Sequence, residues 1–171
     1  MSSSTADTHA GKKLAAAVIT VSDSCASGQR EDLSGPAVAE FLQKLHFEVI
    51  TCETVPDDAV RIQNVLIRLA REVQFIVTTG GTGIAPRDLT PEATVAVSDR
   101  LLDGVAECMR AEGMKKTPYA ALSRGVCGVR GRALILNLPG SPSAAVESLE
   151  AVAMVIPHAI ELLSGKTEHK H

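Results

Sequence analysis

Aromatic residues are scarce: the 171-residue chain has no Trp, one Tyr and three Phe. Phe41, Phe47, Phe75 and Tyr119 are too few for a protein that binds single-stranded nucleic acid by stacking bases on exposed rings. A global basic field is missing too. The formal net charge is −3, which removes the electrostatic footprint of a domain that binds DNA or a membrane surface. No run approaches the roughly 18 apolar residues of a membrane span. Cys25, Cys52, Cys108 and Cys127 form no C-x-x-C pair and no zinc-type spacing with the histidines, so they read as reduced thiols of a cytoplasmic protein. Common nucleotide fingerprints are also absent: there is no G-x-x-x-x-G-K-[ST], and no G-x-G-x-x-G follows a predicted strand.

What is present reads as one α/β domain. Hydrophobic residues make up 45% of the chain and charged residues 22%, a globular balance. A fold of this length buries roughly 70% of the surface that its unfolded chain exposes. Residues 1–11 read as a disordered tail, residues 12–165 as a single domain and residues 166–171 as a polar tail. Lys12-Lys13 followed by an apolar run to Val21 imitates a short secretory signal, but a buried parallel strand has the same pattern, and an α/β alternation continues from it.

Strands are predicted at Leu14 to Val21, Phe47 to Val55 and Phe75 to Thr79. A helix capped by Ser34, with Pro36 in its first turn, runs to about Leu45. Pro56-Asp57-Asp58 opens another, with Val60, Val65, Leu66 and Leu69 inward. Helical stretches follow from Pro91 and over Leu101 to Glu112. Residues 124–137 read as a hairpin, which puts one antiparallel strand in a mostly parallel sheet. The last helix follows Pro139-Gly140-Ser141-Pro142, and Pro157 is expected to kink it. The fold class is therefore α/β, a three-layer α/β/α sandwich.

In such sheets ligands bind outside the carboxyl ends of the strands. Four loops there carry unusual chemistry: Ser22-Asp23-Ser24, Asp57-Asp58, Gly80-Gly81-Thr82-Gly83 with Arg87-Asp88, and Pro139 to Pro142. Asp57 and Ser141 each fit a bare helix cap as well as a functional role, and the glycine turn fits a tight strand-to-helix connection as well as a phosphate cradle. Charge is also unevenly placed. From Gly113 to Val146 there is no Asp or Glu, and Lys115, Lys116, Arg124, Arg130 and Arg132 make that segment +5 against −8 for the rest. A basic stretch facing Asp23, Asp57 and Asp88 fits a phosphate ester held beside a metal, and a solvated basic face fits the same residues.

Together the motifs resemble the MoaB/Mog family of molybdenum cofactor biosynthesis, to which the first domain of gephyrin is similar. The residues concerned are Thr20-Val-Ser-Asp23, Asp32-Leu-Ser-Gly-Pro36, Val55-Pro-Asp57, Thr78-Thr-Gly-Gly-Thr-Gly83, Pro86-Arg-Asp88, Thr90-Pro-Glu-Ala-Thr94, Thr117-Pro-Tyr-Ala120, Leu122-Ser-Arg124 and Leu136-Asn-Leu-Pro-Gly140. The resemblance spans about Leu14 to Gly165 and implies a molybdopterin-binding fold, a homotrimer or multiple of trimers, and a Mg²⁺-dependent adenylyltransferase using ATP and molybdopterin. It implies a separate molybdenum-insertion protein downstream.

By the same resemblance Asp57 and Asp88 are the catalytic carboxylates, with Asp88 the Mg²⁺ ligand. Asp23, Gly80, Gly81, Thr82 and Gly83 bind nucleotide, and Ser123, Arg124, Asn137, Pro139, Gly140 and Ser141 form the molybdopterin and phosphate side, while Glu92 caps the helix after Pro91. A pterin-binding scaffold of the same fold without transfer activity is the alternative. A kinase or dehydrogenase is disfavoured by the missing fingerprints.

Overall fold

The computed structural model describes residues 12–165; the expected tails at 1–11 and 166–171 lie outside them. Six strands form one sheet in the order β2-β1-β3-β6-β5-β4: β1 (Ala15–Val21), β2 (Glu48–Val55), β3 (Phe75–Thr79), β4 (Arg100–Leu101), β5 (Cys127–Arg130) and β6 (Ala133–Leu138). β1, β2, β3 and β6 are parallel, and β5 runs against both β6 and β4. The expected mixed sheet is thus present, with β5 as its single reversed strand. Gly131, at φ 58°, makes the turn between β5 and β6.

Helices cover both faces, which is why the central strands are apolar throughout rather than alternating. On one face Ala16, Val18, Phe75, Val77, Leu134 and Leu136 pack against α2 (Ser34–Lys44), α5 (Asp103–Met114), α6 (Pro142–Val152) and α7 (Ile156–Leu163). On the other, Ala17, Ile19, Ile76 and Ile135 pack against α3 (Ala59–Leu69) and α4 (Thr90–Val97). Successive strand residues point to opposite faces, so each strand serves both layers. α2 and α3 lie on opposite faces of the sheet. The chain reverses its winding between β1 and β3, and a crevice opens there.

Three local expectations need correction. Val60 is 63% exposed, and Ile62 takes its place inward, because Asp58 caps α3 through Arg61 N–H and starts the helical phase at Ala59. Ser34 begins α2 without capping it. The Asp32 carboxylate accepts from Gly35 N–H (2.9 Å), and Ser34 Oγ pairs with Thr79 Oγ1 (2.8 Å). Pro157 does not kink one long helix: α6 stops at Val152, and the proline lies in the first turn of α7, where its missing N–H costs nothing. The two-residue β4 and the one-turn α1 (Asp23–Ala26) had no counterpart in the periodicity.

Candidate active site

The loops at the carboxyl ends of β1 and β3 enclose a cleft of about 610 Å³, lined by Ser22, Asp32, Asp57, Gly80, Gly81, Asp88, Gly140 and Ser141 among others. Where Asp57 enters it, two segments grip each other. Asp23 N–H donates to Asp57 Oδ2 (3.0 Å), and Asp57 N–H donates to Asp23 Oδ1 (3.0 Å). Arg87 Nε–H donates to Asp23 Oδ2 (2.6 Å), so Asp23 is committed to the protein on both oxygens. Burial is the first cause that pushes the Asp57 carboxyl above the ordinary aspartate range; Asp23 N–H pulls it back, the Asp23 and Asp88 charges push it further up, and Arg87 opposes them.

The glycine turn is built by contact as much as by flexibility. Gly80 has φ 91° and Gly81 φ 67°, and a Cβ at Gly80 would lie 2.4 Å from the Val21 carbonyl oxygen. Gly80 N–H is spent on the Leu138 carbonyl (3.1 Å), which corrects its expected role as a phosphate donor. Thr90 Oγ1–H donates to the Gly80 carbonyl (2.9 Å), and Gly140 backs onto Gly80, its added Cβ falling 3.4 Å from Gly80 Cα. Asp88 Oδ2 accepts from Ala85 N–H (2.9 Å) and stands 2.8 Å from where a Cβ at Gly83 would be. Thr82 and Gly83 turn away from the cleft, their carbonyls accepting from Arg124 N–H (2.8 Å) and Arg124 Nε–H (2.7 Å).

A second cavity of about 420 Å³ lies between α5, the 3-10 turn Pro118–Leu122 and α6. Ser123, Asn137 and Pro139 line it, together with Arg110 and Tyr119, so the Pro139-Gly140-Ser141 turn stands between the two spaces. Ser141 caps α6 by accepting from Ala144 N–H (3.3 Å). Tyr119 is 77% exposed, whereas Phe47 and Phe75 pack against each other in the core.

Two expected ligand contacts are engaged elsewhere. Asn137 is 1% exposed and donates both amide hydrogens inward, to Thr78 Oγ1 (3.0 Å) and Thr94 Oγ1 (2.9 Å), while its Oδ1 accepts from Val126 N–H (3.2 Å). Arg124 pairs with Glu92 and donates to the Gly83 and Asp88 carbonyls. The expected capping role of Glu92 is thus corrected: α4 has no side-chain cap, Glu92 pairs with Arg124, and its carboxyl is held below the ordinary range, first by the Arg124 hydrogen bond.

The basic segment is not one face. Lys115 pairs with Glu112 and Lys116 with Glu147, while Arg130 and Arg132 flank the hairpin turn at the amino-terminal end of β6, away from the cleft.

Sequence reasoning assigned no chemistry to Asp32, although it contained Asp32-Leu-Ser-Gly-Pro36. Asp32 Oδ2 accepts from Thr20 Oγ1–H (2.6 Å), which fastens the wall of the cleft to the end of β1. Arg110, which donates to the Gly125 carbonyl (3.0 Å) beside the second cavity, left no signal in the sequence.

The family model described as "Probable molybdopterin binding domain" matches residues 17–158. The solved molybdopterin biosynthesis enzyme MoaB of Thermus thermophilus is 53% identical and superposes with a TM-score of 0.84 over 90% of this chain and 98% of its own. A molybdopterin adenylyltransferase of Helicobacter pylori J99 is 41% identical over 157 residues, 86% of each chain. The molybdenum cofactor synthesis protein cinnamon of Drosophila melanogaster is 40% identical over 85% of this chain, which corresponds to 25% of that longer protein. Sequence and fold agree: the chain belongs to the MoaB/Mog family of molybdopterin-binding domains.

Proposed function

We propose that this protein is a molybdopterin adenylyltransferase, working in the cytoplasm as a homotrimer or a multiple of trimers and handing its product to a separate molybdenum-insertion protein. The observation that carries the reading is the paired cleft: two carboxylates, Asp57 and Asp88, at a glycine turn, with a second cavity across the Pro139-Gly140-Ser141 turn. One space suits a nucleoside triphosphate and the other a pterin, with the reacting phosphates meeting at the turn.

In the proposed reaction a terminal phosphate oxygen of molybdopterin attacks the α-phosphorus of ATP. A P–O–P bond forms, the bond to the β-phosphate breaks, and pyrophosphate leaves. No covalent intermediate with the enzyme is needed, so the work is alignment and charge stabilisation. Gly81 would offer its backbone N–H to the nucleotide phosphates, Gly80 gives room for close approach, Thr82 and Gly83 would shape the nucleotide turn from behind the cleft, and Asp23 holds Asp57. On the other side Ser123, Pro139, Gly140 and Ser141 would meet the pterin and its phosphate, with Asn137 and Arg124 bracing the walls.

Magnesium fits these residues. Among the described residues no group of three or more His, Cys, Asp and Glu side chains forms a protein cage for a metal. Mg²⁺ does not require one, because it binds one or two carboxylates together with substrate phosphates and water. Asp57, raised by burial and by the nearby Asp23 and Asp88 charges, is a site that a cation relieves. Asp88 would be the principal ligand, and the ion would neutralise charge on the phosphates.

The reading is tested by following pyrophosphate with ATP, Mg²⁺ and molybdopterin. Wild-type protein is expected to release it, and Asp88→Asn and Asp57→Asn to lose about 100-fold or more of the rate. Molybdopterin binding without pyrophosphate from the wild type would instead support a scaffold of the same fold.

A further inference from the structure

Arg124 is the residue whose sequence context and geometry disagree most. Its place in a basic segment, between Ser123 and the second cavity, suggests an anion ligand. Its bonds point elsewhere. Backbone N–H donates to Thr82 C=O (2.8 Å), Nε–H to Gly83 C=O (2.7 Å), Nη2–H to Asp88 C=O (2.7 Å), and Nη1 pairs with the Glu92 carboxylate. These attachments tie together both ends of the irregular segment between β3 and α4, the segment that carries Asp88.

Asp88 has no regular secondary structure to hold it. Its carboxylate is aimed by Ala85 N–H and by the bare face of Gly83, and the Gly83 and Asp88 carbonyls are the two that Arg124 grips. A planar fork that satisfies three separate acceptors fixes their relative positions, which a single point charge does not do. Glu92, in the first turn of α4, orients the fork.

We propose that Arg124 is a positioning residue that, with Glu92, sets the Asp88 carboxylate opposite Asp57, and that it is not a ligand of the substrate phosphate. The idea rests on adenylyl transfer for its kinetic arm only. A phosphate ligand and a brace leave different signatures: loss of a ligand weakens molybdopterin binding, whereas loss of the brace slows turnover with binding kept.

The experiment compares Arg124→Ala, Arg124→Lys and Glu92→Gln by steady-state kinetics, direct molybdopterin binding and amide hydrogen exchange. Arg124→Ala is expected to lower kcat about 10- to 100-fold, the range for loss of a group that orients a ligand. Molybdopterin KM and Kd should stay within about twofold, and Arg124→Lys should not restore the rate. Exchange of the Ala85 amide should accelerate while β3 and β6 amides keep their protection.

A molybdopterin Kd raised about tenfold with kcat unchanged, or an Ala85 amide that exchanges at the wild-type rate, overturns the proposal. If Arg124→Ala does not fold, Glu92→Gln answers the same question through the same amide. If the wild type releases no pyrophosphate, adenylyl transfer fails, and the exchange measurement still decides the brace.

Discussion

Asp23 and Asp57 each donate a backbone N–H to the other's carboxylate, both at 3.0 Å, across the gap between the loops that follow β1 and β2. This reciprocal pair carries the contact between β1 and β2 past their last paired residues, Val21 and Val55, and it points Asp57 at the glycine turn, where its Oδ1 lies 3.3 Å from the position of a Cβ on Gly81. Breaking one half has a measurable cost. Asp23→Ala removes an acceptor from Asp57 N–H and the partner of Arg87, and is expected to cost about 1–2 kcal/mol, since hydrogen bonds to charged groups exceed neutral ones. For a chain of this size that is a fall of roughly 2–8 °C in Tm. An unchanged melting curve would mean that the pair does not form in solution.

Asp57 is predicted to trade stability for function. A carboxyl raised above its unfolded pKa opposes folding at neutral pH, and that opposition is lifted as the pH falls through the folded value. Asp57→Asn keeps an oxygen for Asp23 N–H and removes the half-buried charge. It should therefore melt at or above the wild-type temperature at pH 7, with the difference shrinking as the pH drops through the folded pKa of Asp57, while its adenylyl transfer is lost. A Tm clearly below wild type at pH 7 would contradict the burial argument.

Two glycines with similar backbones separate strain from collision. Gly28 (φ 76°) has nothing within 4 Å of an added Cβ, whereas a Cβ on Gly81 (φ 67°) would lie 2.3 Å from Thr90 Oγ1. Gly28→Ala is expected to cost about 1 kcal/mol and Gly81→Ala the upper end of the roughly 1–3 kcal/mol range for left-handed strain, or more. Chemical denaturation of the two variants gives the comparison. Only Gly81→Ala should also lose activity, because displacing Thr90 loosens its hold on Gly80 C=O.

Much of the fold was legible because both sheet faces are covered. The runs Ala15 to Val21, Phe75 to Thr79 and Leu134 to Leu138 are apolar or Thr/Asn-bearing without polar alternation, which is what a central parallel strand requires. Reading failed where the deciding partner is remote in the chain. β4 is two residues whose strand identity comes from β5, some 28 positions away, and Asn137 looks like a free amide until Thr78 and Thr94 meet it. The four marked loops do meet at one cleft, but which of their residues line it and which are held from behind is not legible in the sequence. Asp57 and Asp88 line the cleft, while Arg124 faces the loop behind it.

The scarcity of aromatics provides a reporter. Tyr119 is the chain's only tyrosine, there is no tryptophan, and the ring borders the second cavity. If that cavity takes the pterin, molybdopterin should quench the tyrosine emission, and Mg²⁺ with ATP alone should leave it nearly unchanged. Fluorescence titration checks this, with Tyr119→Phe as the blank. Quenching by ATP and not by molybdopterin would exchange the ligands assigned to the two cavities.

Adenylyl transfer is the central claim, and the fate of the α-phosphate tests it most directly. With ATP labelled at the α-phosphorus, Mg²⁺ and molybdopterin, the label should appear in the pterin product in step with unlabelled pyrophosphate, one for one, and both should vanish in Asp88→Asn. Label that remains in ATP despite tight molybdopterin binding, or pyrophosphate formed without a labelled pterin, would contradict it.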